Sequence, residues 1–168
     1  LKKSTAAKCH MTQWDMNSHY ETFKILGNAV IDLAKKMPMA TGINEDGTPR
    51  QYGLRIEDFW GLIYTKGQIT KAHNHWPHLW SFTYCVKGCQ ECAPLVFPDA
   101  NGLEVKPQAG QLILWPAWLY HEVPEQKCDH ERIMAVGNLD VDWTETRKSV
   151  SEQRLTPPPK GSNDNEHR

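Results

Sequence analysis

Hydrophobic residues recur at three- and four-residue intervals in a segment near the start of the chain. The residues at these positions are Phe23, Leu26, Val30 and Leu33. This spacing is typical of an amphipathic helix that buries one face. Ser18 and Glu21 have the spacing of a capping box at its start, and Pro38 closes the segment. The pattern therefore predicts a helix over about residues 19–36.

From Tyr52 onward the pattern changes to short hydrophobic and β-branched runs separated by Gly, Pro and Asn. The strong turn signal Asn44-Glu45-Asp46-Gly47 stands between the predicted helix and these runs. The predicted strands are 59–65, 69–73, 80–86, 95–97, 111–115, 120–123 and 133–140. Many short strands separated by turns predict a β sandwich, a jelly roll or a barrel.

A chain of 168 residues is long enough for one domain with a sizeable core. We expect residues 1–156 to form this single jelly-roll domain, with the helix at about 19–36 and the barrel at about 52–145. Residues 157–168 are polar and proline-rich and have nothing to bury, so they are predicted to be a disordered tail.

Charge and hydropathy exclude some classes of partner. The chain has 19 basic and 20 acidic side chains, which gives no electrostatic reason to expect nucleic acid or an anionic membrane as the main partner. It contains no apolar run long enough to span a bilayer, so neither a transmembrane helix nor a signal peptide is expected. Five cysteines at irregular spacing indicate reduced thiols and predict a cytoplasmic location.

The cysteines include one CxxC motif, Cys89-Gln90-Glu91-Cys92, with Cys85 four residues before it. Cys128-Asp129-His130 could supply a distant second pair of ligands. A structural zinc site needs four ligands, and a single CxxC is a weak signal for one. The favoured interpretation is reduced thiols on a hairpin, with Cys85 packed as a small hydrophobic residue. A zinc or redox role is the less favoured alternative.

Three histidines stand in a context that suggests a metal site. His73 and His75 follow a strand-like run, and side chains two apart on an extended chain project from the same face. His121 follows a second strand-like run that ends at Pro116. Three imidazoles leave coordination positions open, as a catalytic metal requires. Four more histidines are expected on the surface or supporting the site: His10, His19, His78 and His130.

Part of this pattern resembles the cupins. Gly67 precedes the His73-Asn74-His75 motif as in the first cupin motif, and Gly110, Pro116 and His121 resemble most of the second. The glutamate that cupins carry shortly after the second histidine is absent, and Trp118 stands where cupins usually have glycine. The resemblance therefore favours the barrel but not an ordinary cupin.

The 2-oxoglutarate- and iron(II)-dependent oxygenases are a closer match, in particular the subgroup with a His-x-His motif. The resembling stretches follow the order and spacing of that family between about Trp60 and Asn138. They are His73-Asn74-His75-Trp76-Pro77, Ser81-Phe82-Thr83-Tyr84-Cys85-Val86, Ala93-Pro94-Leu95-Val96-Phe97-Pro98-Asp99, Leu112-Ile113-Leu114-Trp115-Pro116 and His121-Glu122-Val123-Pro124. Arg132, eleven residues after His121, stands where the family has the arginine that pairs with the far carboxylate of 2-oxoglutarate.

The resemblance implies a mainly β, double-stranded β-helix (jelly-roll) fold with an N-terminal supporting helix. It also implies hydroxylation of a substrate, with 2-oxoglutarate as cosubstrate converted to succinate and CO2, and with ascorbate as an additional reductant. The implied metal ligands for Fe(II) are His73, His75 and His121, and the implied cosubstrate-binding residues are Arg132, Tyr64 and Tyr84. A guanidinium suits this role because its planar fork binds a carboxylate through two hydrogen bonds.

One departure and several alternatives stay open. Most of these oxygenases use two histidines and a carboxylate, so His75 in place of the carboxylate raises the charge of the site by one unit. A cupin-type metalloenzyme that does not use 2-oxoglutarate, or a non-enzymatic jelly-roll binding protein, would fit the same barrel. Four tryptophans near the histidines line a substrate pocket in one interpretation and fill the core in the other. They are Trp76, Trp80, Trp115 and Trp118. The substrate itself is not predicted.

Overall fold

The computed structural model describes residues 5–37, Gly47 and 52–144. In chain order, the elements are β1 (Ala7–Lys8), β2 (His10–Met11), α1 (Met16–His19), α2 (Glu21–Ala34), β3 (Gly53–Tyr64), β4 (Ile69–His73), β5 (Trp80–Lys87), β6 (Leu95–Phe97), a 3-10 turn (Pro98–Ala100), β7 (Leu103–Val105), β8 (Leu112–Pro116), β9 (His121–Val123) and β10 (Arg132–Asp142). Pro38, most of the predicted turn at 44–47 and the predicted tail at 157–168 lie outside the described residues.

The strands form two five-stranded sheets. The first has the order β1-β4-β9-β6-β7 and the second the order β2-β3-β10-β5-β8. Neighbouring strands are antiparallel, and β10 lies at the centre of the second sheet between β3 and β5. The predicted mainly β jelly roll is therefore confirmed, although it consists of two facing sheets rather than a closed barrel.

The strand predictions differ from the structure mainly at short or weakly patterned segments. β3 begins at Gly53 rather than at residue 59, so it is twice as long as a typical strand. β1, β2 and β7 contain only two or three residues, too few for a period of two to be recognised in the sequence. All seven predicted strands have a counterpart among the described elements.

The predicted helix is interrupted near its start. Tyr20 has an extended backbone (φ −127°, ψ 126°) and separates α1 from α2, so Ser18 lies within α1 and no capping box forms. The buried positions of α2 are Gly27, Val30 and Ala34, whereas Leu33 is 36% exposed. The prediction that Leu33 lies on the buried face is therefore wrong. The helix packs closely on the sheet at this face: a Cβ on Gly27 would lie 3.3 Å from Ile56 Cγ1.

The hydrophobic core has two parts, one on each face of the second sheet. The first lies between the two sheets and includes Trp60, Tyr64 and Met134. The second lies between the second sheet and α2 and includes Val30 and Phe82. Because side chains alternate along a strand, each buried strand of this sheet contributes to both parts. No helix in the described part of the chain is long and apolar enough to cross a bilayer.

Replacing Gly137 with alanine should strongly destabilise the fold. Gly137 lies on β10 at the level of Phe59 and Phe82. A Cβ at this position would collide with the carbonyl oxygen of Asp58 and would lie 2.6 Å from Phe82 Cζ. We expect the free energy of unfolding, measured by urea denaturation, to fall by about 2–3 kcal/mol.

The control for this substitution is Gly27→Ala, where the neighbouring atom belongs to the flexible side chain of Ile56. Alanine also favours the helix over glycine, so the unfolding free energy should change by less than about 1 kcal/mol. Equal effects of the two substitutions would contradict the close approach of strands at Gly137.

Candidate metal centre

A cavity of about 300 Å³ lies between the two sheets. Residues from both sheets line it, which places the cavity within the jelly roll. Its polar lining includes most of the residues that the sequence singled out. They are His73, His75, His121, Tyr64 and Arg132, together with Thr70.

Strand pairing brings the histidines together. His73 is the last residue of β4 and His121 the first of β9, and the two are direct partners in the antiparallel pair. His75 lies beyond the end of β4 rather than on a strand, and its backbone N–H donates a 2.8 Å hydrogen bond to the carbonyl oxygen of Ala117. The loop after β4 is thereby fixed against the turn that precedes β9.

The three imidazoles form a compact group. Their ring centroids are 4.3 Å apart for His73 and His121, 4.8 Å for His73 and His75, and 5.1 Å for His75 and His121. One nitrogen of each ring lies within 4.8 Å of a nitrogen of the others. This arrangement has the dimensions of a site in which three nitrogens bind one metal ion.

Backbone carbonyls orient two of the rings. Nδ1 of His73 lies 2.8 Å from the carbonyl oxygen of Lys71, and Nδ1 of His121 lies 3.2 Å from that of Leu119. A carbonyl can only accept, so each Nδ1 carries the proton and Nε2 keeps the lone pair that binds a metal. No hydrogen bond of this kind is found for the His75 side chain within the described residues, which matches its position in a loop.

Burial keeps all three imidazoles neutral. It lowers the pKa of His73, lowers that of His75 to about 3 and lowers that of His121 to about 4; the neighbouring histidines add to the last two shifts. Metal binding requires neutral imidazole, so no proton has to be displaced near neutral pH. The donor set therefore fits a divalent transition metal.

Arg132 is a buried cation that has no acidic partner among the residues that the structure describes. It is the first residue of β10, pairs with Tyr64 across the strands and is only 3% exposed. Its guanidinium carbon lies 4.8 Å from the centroid of the Tyr64 ring, and its buried Nε has no hydrogen-bond partner. Among the ion pairs of the described residues, none includes Arg132. A buried charge normally has an anionic partner, so the site is suited to an anionic ligand.

Tyr64 and Thr70 add two hydroxyls to the cavity. Tyr64 is 1% exposed, and its hydroxyl lies 2.6 Å from Thr70 Oγ1. Burial raises the pKa of the Tyr64 hydroxyl to about 12, even though Arg132 opposes the shift, so it remains protonated and can donate. Thr70 was not identified from the sequence, because a single threonine within a strand carries no signal of function.

Tyr84 is not brought to the cavity. It lies on β5 next to Thr83, which lines the cavity, but its own side chain packs in the core between the second sheet and α2. The alternation of side chains along β5 explains the difference, because residues 83 and 84 face opposite sides of the sheet. The placement therefore gives no support to the predicted cosubstrate role of Tyr84.

The sequence left open whether the four tryptophans line a pocket or fill the core, and the structure places them in different environments. Trp115 lines the cavity, with its ring centroid 5.0 Å from that of His121, whereas Trp80 packs toward α2. Trp76 and Trp118 are 73% and 57% exposed. Trp60, outside the predicted set, also lines the cavity, and its buried Nε1, like that of Trp115, has no hydrogen-bond partner. Unsatisfied N–H donors are additional points of contact for a polar ligand.

His78, which we expected on the surface or in support of the site, braces the loop that carries His75. Its Nδ1 lies 2.9 Å from Oδ2 of Asp140, and the backbone N–H of Leu79 donates to the other carboxylate oxygen at 3.1 Å. The backbone N–H of His78 also donates to the carbonyl oxygen of His75 at 3.0 Å. These bonds tie the loop to the end of β10.

Comparison with known proteins agrees with the sequence resemblance. Residues 97–138 match a sequence model of the family described as "Putative 2OG-Fe(II) oxygenase". This segment includes His121, Arg132 and Asn138. A comparison with curated proteins gave no match.

Three solved structures illustrate the similarity in fold. A viral collagen prolyl hydroxylase from Paramecium bursaria Chlorella virus-1, in complex with 2-oxoglutarate, is 16% identical with a TM-score of 0.62, and the match covers 80% of each chain. A prolyl-4-hydroxylase from Pseudomonas putida is 17% identical with a TM-score of 0.58, covering 80% of this chain and 72% of that one. HygX from Streptomyces hygroscopicus, with nickel, 2-oxoglutarate and hygromycin B bound, is 10% identical with a TM-score of 0.58, covering 81% and 75%. The fold of this chain is thus that of the 2-oxoglutarate–Fe(II) oxygenases, and the predicted resemblance to the family is confirmed.

Proposed function

We propose that this chain is a 2-oxoglutarate- and Fe(II)-dependent oxygenase that hydroxylates its substrate. The observation that carries the proposal is the coexistence, in one cavity, of three neutral imidazoles and a buried guanidinium that forms no ion pair within the described residues. A metal site alone would also suit a cupin-type enzyme that does not use 2-oxoglutarate. Arg132 distinguishes the two alternatives, because it supplies the partner for a carboxylate.

The residues present fit Fe(II). His73, His75 and His121 would hold the metal, since imidazole is a good ligand for iron and three protein ligands leave open positions for cosubstrate and O2. His75 replaces the carboxylate of the commoner ligand set, which makes the centre more positive by one unit. Binding a dianionic cosubstrate would offset this additional charge.

The residues present also fit 2-oxoglutarate. Arg132 would bind its far carboxylate, and the hydroxyl of the Tyr64–Thr70 pair that does not donate to the other would donate to the same group. Arg132 and Tyr64 are paired on adjacent strands, and Tyr64 is bonded to Thr70 on the opposite sheet. The three side chains are thus held by both sheets before any ligand arrives, so little ordering is needed upon binding.

When bound, iron(II) with 2-oxoglutarate and O2 supplies the oxidation of a substrate C–H bond, with release of succinate and CO2. The part that the protein chain plays is orientation and exclusion of water. Trp60, Trp115 and Leu95 line the cavity and are at most 7% exposed, so they shield its contents from solvent. The backbone bonds at Nδ1 of His73 and His121 keep both rings in the metal-binding tautomer.

We further propose that the protein works in a reducing, cytoplasmic compartment with small molecules as its cosubstrates. In support, all five cysteines are free in the structure. The near balance of acidic and basic side chains gives no indication of nucleic acid as a partner.

Release of succinate from 2-oxoglutarate tests the function. The purified chain, supplied with Fe(II), ascorbate and O2, should form succinate even without its substrate, because uncoupled turnover does not require it. The His121→Ala variant should form none above background. A wild-type protein that binds iron but neither binds nor converts 2-oxoglutarate would overturn the proposal in favour of the cupin-type alternative. Failure to take up any metal would favour the non-enzymatic binding protein.

Tyr64→Phe should weaken the binding of 2-oxoglutarate moderately. The substitution removes one hydroxyl donor but leaves the ring beside Arg132, and a neutral hydrogen bond contributes about 1 kcal/mol. We expect the dissociation constant for 2-oxoglutarate to rise about three- to tenfold, measured by calorimetry with Mn(II) in place of iron. The matched control is Tyr84→Phe, which removes a hydroxyl outside the cavity and should leave the constant unchanged. Equal effects of the two substitutions would argue against Tyr64 as a cosubstrate ligand.

A further inference from the structure

A second group of metal-binding side chains lies outside the cavity. Cys89 and Cys92 are in the loop between β5 and β6, and Cys128 and His130 are in the loop between β9 and β10. The two loops are far apart in the sequence and come together only in the fold. None of these side chains lines the cavity that contains His73, His75 and His121.

Four of the distances within the group equal or are somewhat shorter than those of a tetrahedral site, and the ligand atoms of Cys89, Cys128 and His130 all lie within 4.8 Å of one another. Sγ of Cys89 lies 3.2 Å from that of Cys92, 3.8 Å from that of Cys128 and 3.5 Å from Nδ1 of His130. Sγ of Cys92 lies 3.6 Å from that of Cys128. Zinc with bonds of about 2.3 Å to sulfur and about 2.0–2.1 Å to nitrogen separates its ligands by about 3.8 Å between sulfurs and about 3.5 Å between sulfur and nitrogen.

The sulfurs also receive hydrogen bonds. The side chain of Gln126 is fully buried, and its Nε2 lies 3.2 Å from Sγ of Cys92 and 3.0 Å from Sγ of Cys128. Its Oε1 accepts a bond from the backbone N–H of Ala93, which fixes the orientation of the amide. The backbone N–H of Cys89 donates to Sγ of Cys92 at 3.3 Å. N–H donors directed at sulfur stabilise the thiolate form, in which cysteine binds a metal.

Simple packing of reduced thiols does not explain this arrangement. Three sulfurs lie within 3.8 Å of one another, and an imidazole nitrogen lies 3.5 Å from one of them. The Nε2 of a buried amide lies within hydrogen-bond distance of two of the sulfurs and of the carbonyl oxygen of His130. Protonated thiols are weak donors and weak acceptors, so they give no reason for four potential ligands from two loops to meet at one point. A Cys89–Cys92 disulfide would use only two of the four groups and would leave Cys128 and His130 without a role.

We propose that Cys89, Cys92, Cys128 and His130 bind one Zn²⁺ ion as a structural site. Three thiolates and an imidazole fill the four positions of tetrahedral zinc and leave none open for a substrate, which distinguishes this site from the three-histidine centre. The sequence alone favoured reduced thiols because the candidate second pair does not have the spacing of the common zinc motifs. The second pair is Cys128 and His130, which only one residue separates, whereas the common motifs have at least two residues between paired ligands.

The zinc would stabilise the end of the fold that carries Arg132. His130 precedes Arg132 by two residues, and the bound ion would join the start of β10 to the loop after β5. Gln126 also binds the turn between β3 and β4, since its backbone carbonyl oxygen accepts from Gly67 and its N–H donates to Gln68. Three connections of the jelly roll would thus be held around one ion.

Metal analysis of the full chain tests the proposal. Protein purified with a non-chelating reductant should contain about one zinc per chain. Cys128→Ser and His130→Ala should each reduce the zinc content at least about tenfold, and His130→Cys should retain it. Cys85→Ala, which removes a neighbouring thiol outside the group, should retain zinc. His121→Ala should also retain zinc while losing iron, so failure of this proposal is distinct from failure of the oxygenase proposal.

Cobalt substitution and thermal unfolding identify the ligands. Co²⁺ in a thiolate site gives thiolate-to-metal charge-transfer absorption, which three histidines cannot produce. This absorption should appear in wild type and in His121→Ala and be absent from Cys128→Ser. A chelator should lower the melting temperature of wild type and of His121→Ala but not that of Cys128→Ser. Zinc-free protein with a Cys89–Cys92 disulfide that persists under reducing conditions, or zinc retained by Cys128→Ser, would overturn the proposal.

Discussion

Replacing Arg132 with methionine is expected to abolish 2-oxoglutarate binding and at the same time to stabilise the ligand-free protein. The guanidinium is 3% exposed, and its Nε has no hydrogen-bond partner. Burying a charge without an opposite charge is unfavourable, and replacing such a charge with an apolar side chain of similar size often stabilises a protein. Methionine fits because it is unbranched and adapts to irregular space.

The two effects have opposite signs and separate readouts. The dissociation constant for 2-oxoglutarate should rise by about a hundredfold or more, since removing one partner of a buried ion pair costs about 3–5 kcal/mol. The free energy of unfolding of the ligand-free variant should increase by about 1–4 kcal/mol. Saturating 2-oxoglutarate should raise the melting temperature of wild type and leave that of Arg132→Met unchanged.

Two further variants show which property of Arg132 matters. Arg132→Lys keeps the charge but loses the planar fork, so its affinity for 2-oxoglutarate should fall between those of wild type and Arg132→Met. Arg55→Met is the matched control, because Arg55 is half exposed and paired with Glu57 on the surface. If Arg132→Met destabilised the ligand-free protein while leaving 2-oxoglutarate affinity intact, Arg132 would be a structural residue and not the cosubstrate anchor.

Local patterns in the sequence were sufficient to predict the three histidines and the arginine of the site and the strands near them. The His-x-His spacing, the distal histidine and the arginine eleven residues later are sequence features, and the strands that carry them are recognisable from short hydrophobic runs. His73 and His121 pair directly across β4 and β9, as that framework requires. The sequence also favoured a helix over the correct region, but it gave no sign of the extended residue Tyr20 that divides it.

Features that depend on which side of a strand faces inward were not predictable. Tyr64 and Tyr84 each lie on a long strand, and the sequence does not distinguish them as cosubstrate-binding candidates. Only the register with β10 shows that Tyr64 faces the cavity beside Arg132, whereas Tyr84 faces the helix. The contact of the two cysteine-containing loops depends in the same way on long-range topology, because it joins positions about 40 residues apart.

Replacing His121 with alanine should eliminate iron binding, whereas replacing His75 with aspartate should preserve it. His121 is 6% exposed, and its Nδ1 is oriented by the carbonyl oxygen of Leu119. Its loss removes a pre-oriented ligand and leaves a void in the cavity. Since losing even an outer-shell partner lowers metal affinity ten- to a hundredfold, we expect a decrease of at least about a hundredfold for His121→Ala.

Replacing His75 should affect iron binding less than replacing His121. It lies in a loop beyond β4, and an aspartate there would restore the ligand set of two histidines and one carboxylate that is common for non-haem iron. Aspartate also lowers the charge of the site by one unit. We therefore expect His75→Asp to retain iron with an affinity within about tenfold of wild type. His75→Ala should bind more weakly than His75→Asp, because it supplies no ligand at all.

Iron content after anaerobic reconstitution and desalting measures these differences, with His19→Ala as the control for an exposed histidine outside the cavity. Zinc bound by the cysteine group would be counted separately in the same samples and should not change among the histidine variants. Equal iron retention by His121→Ala and His19→Ala would rule out the three-histidine centre. Retention by His75→Ala equal to that of wild type would show that two histidines suffice and that the ring of His75 only lines the cavity.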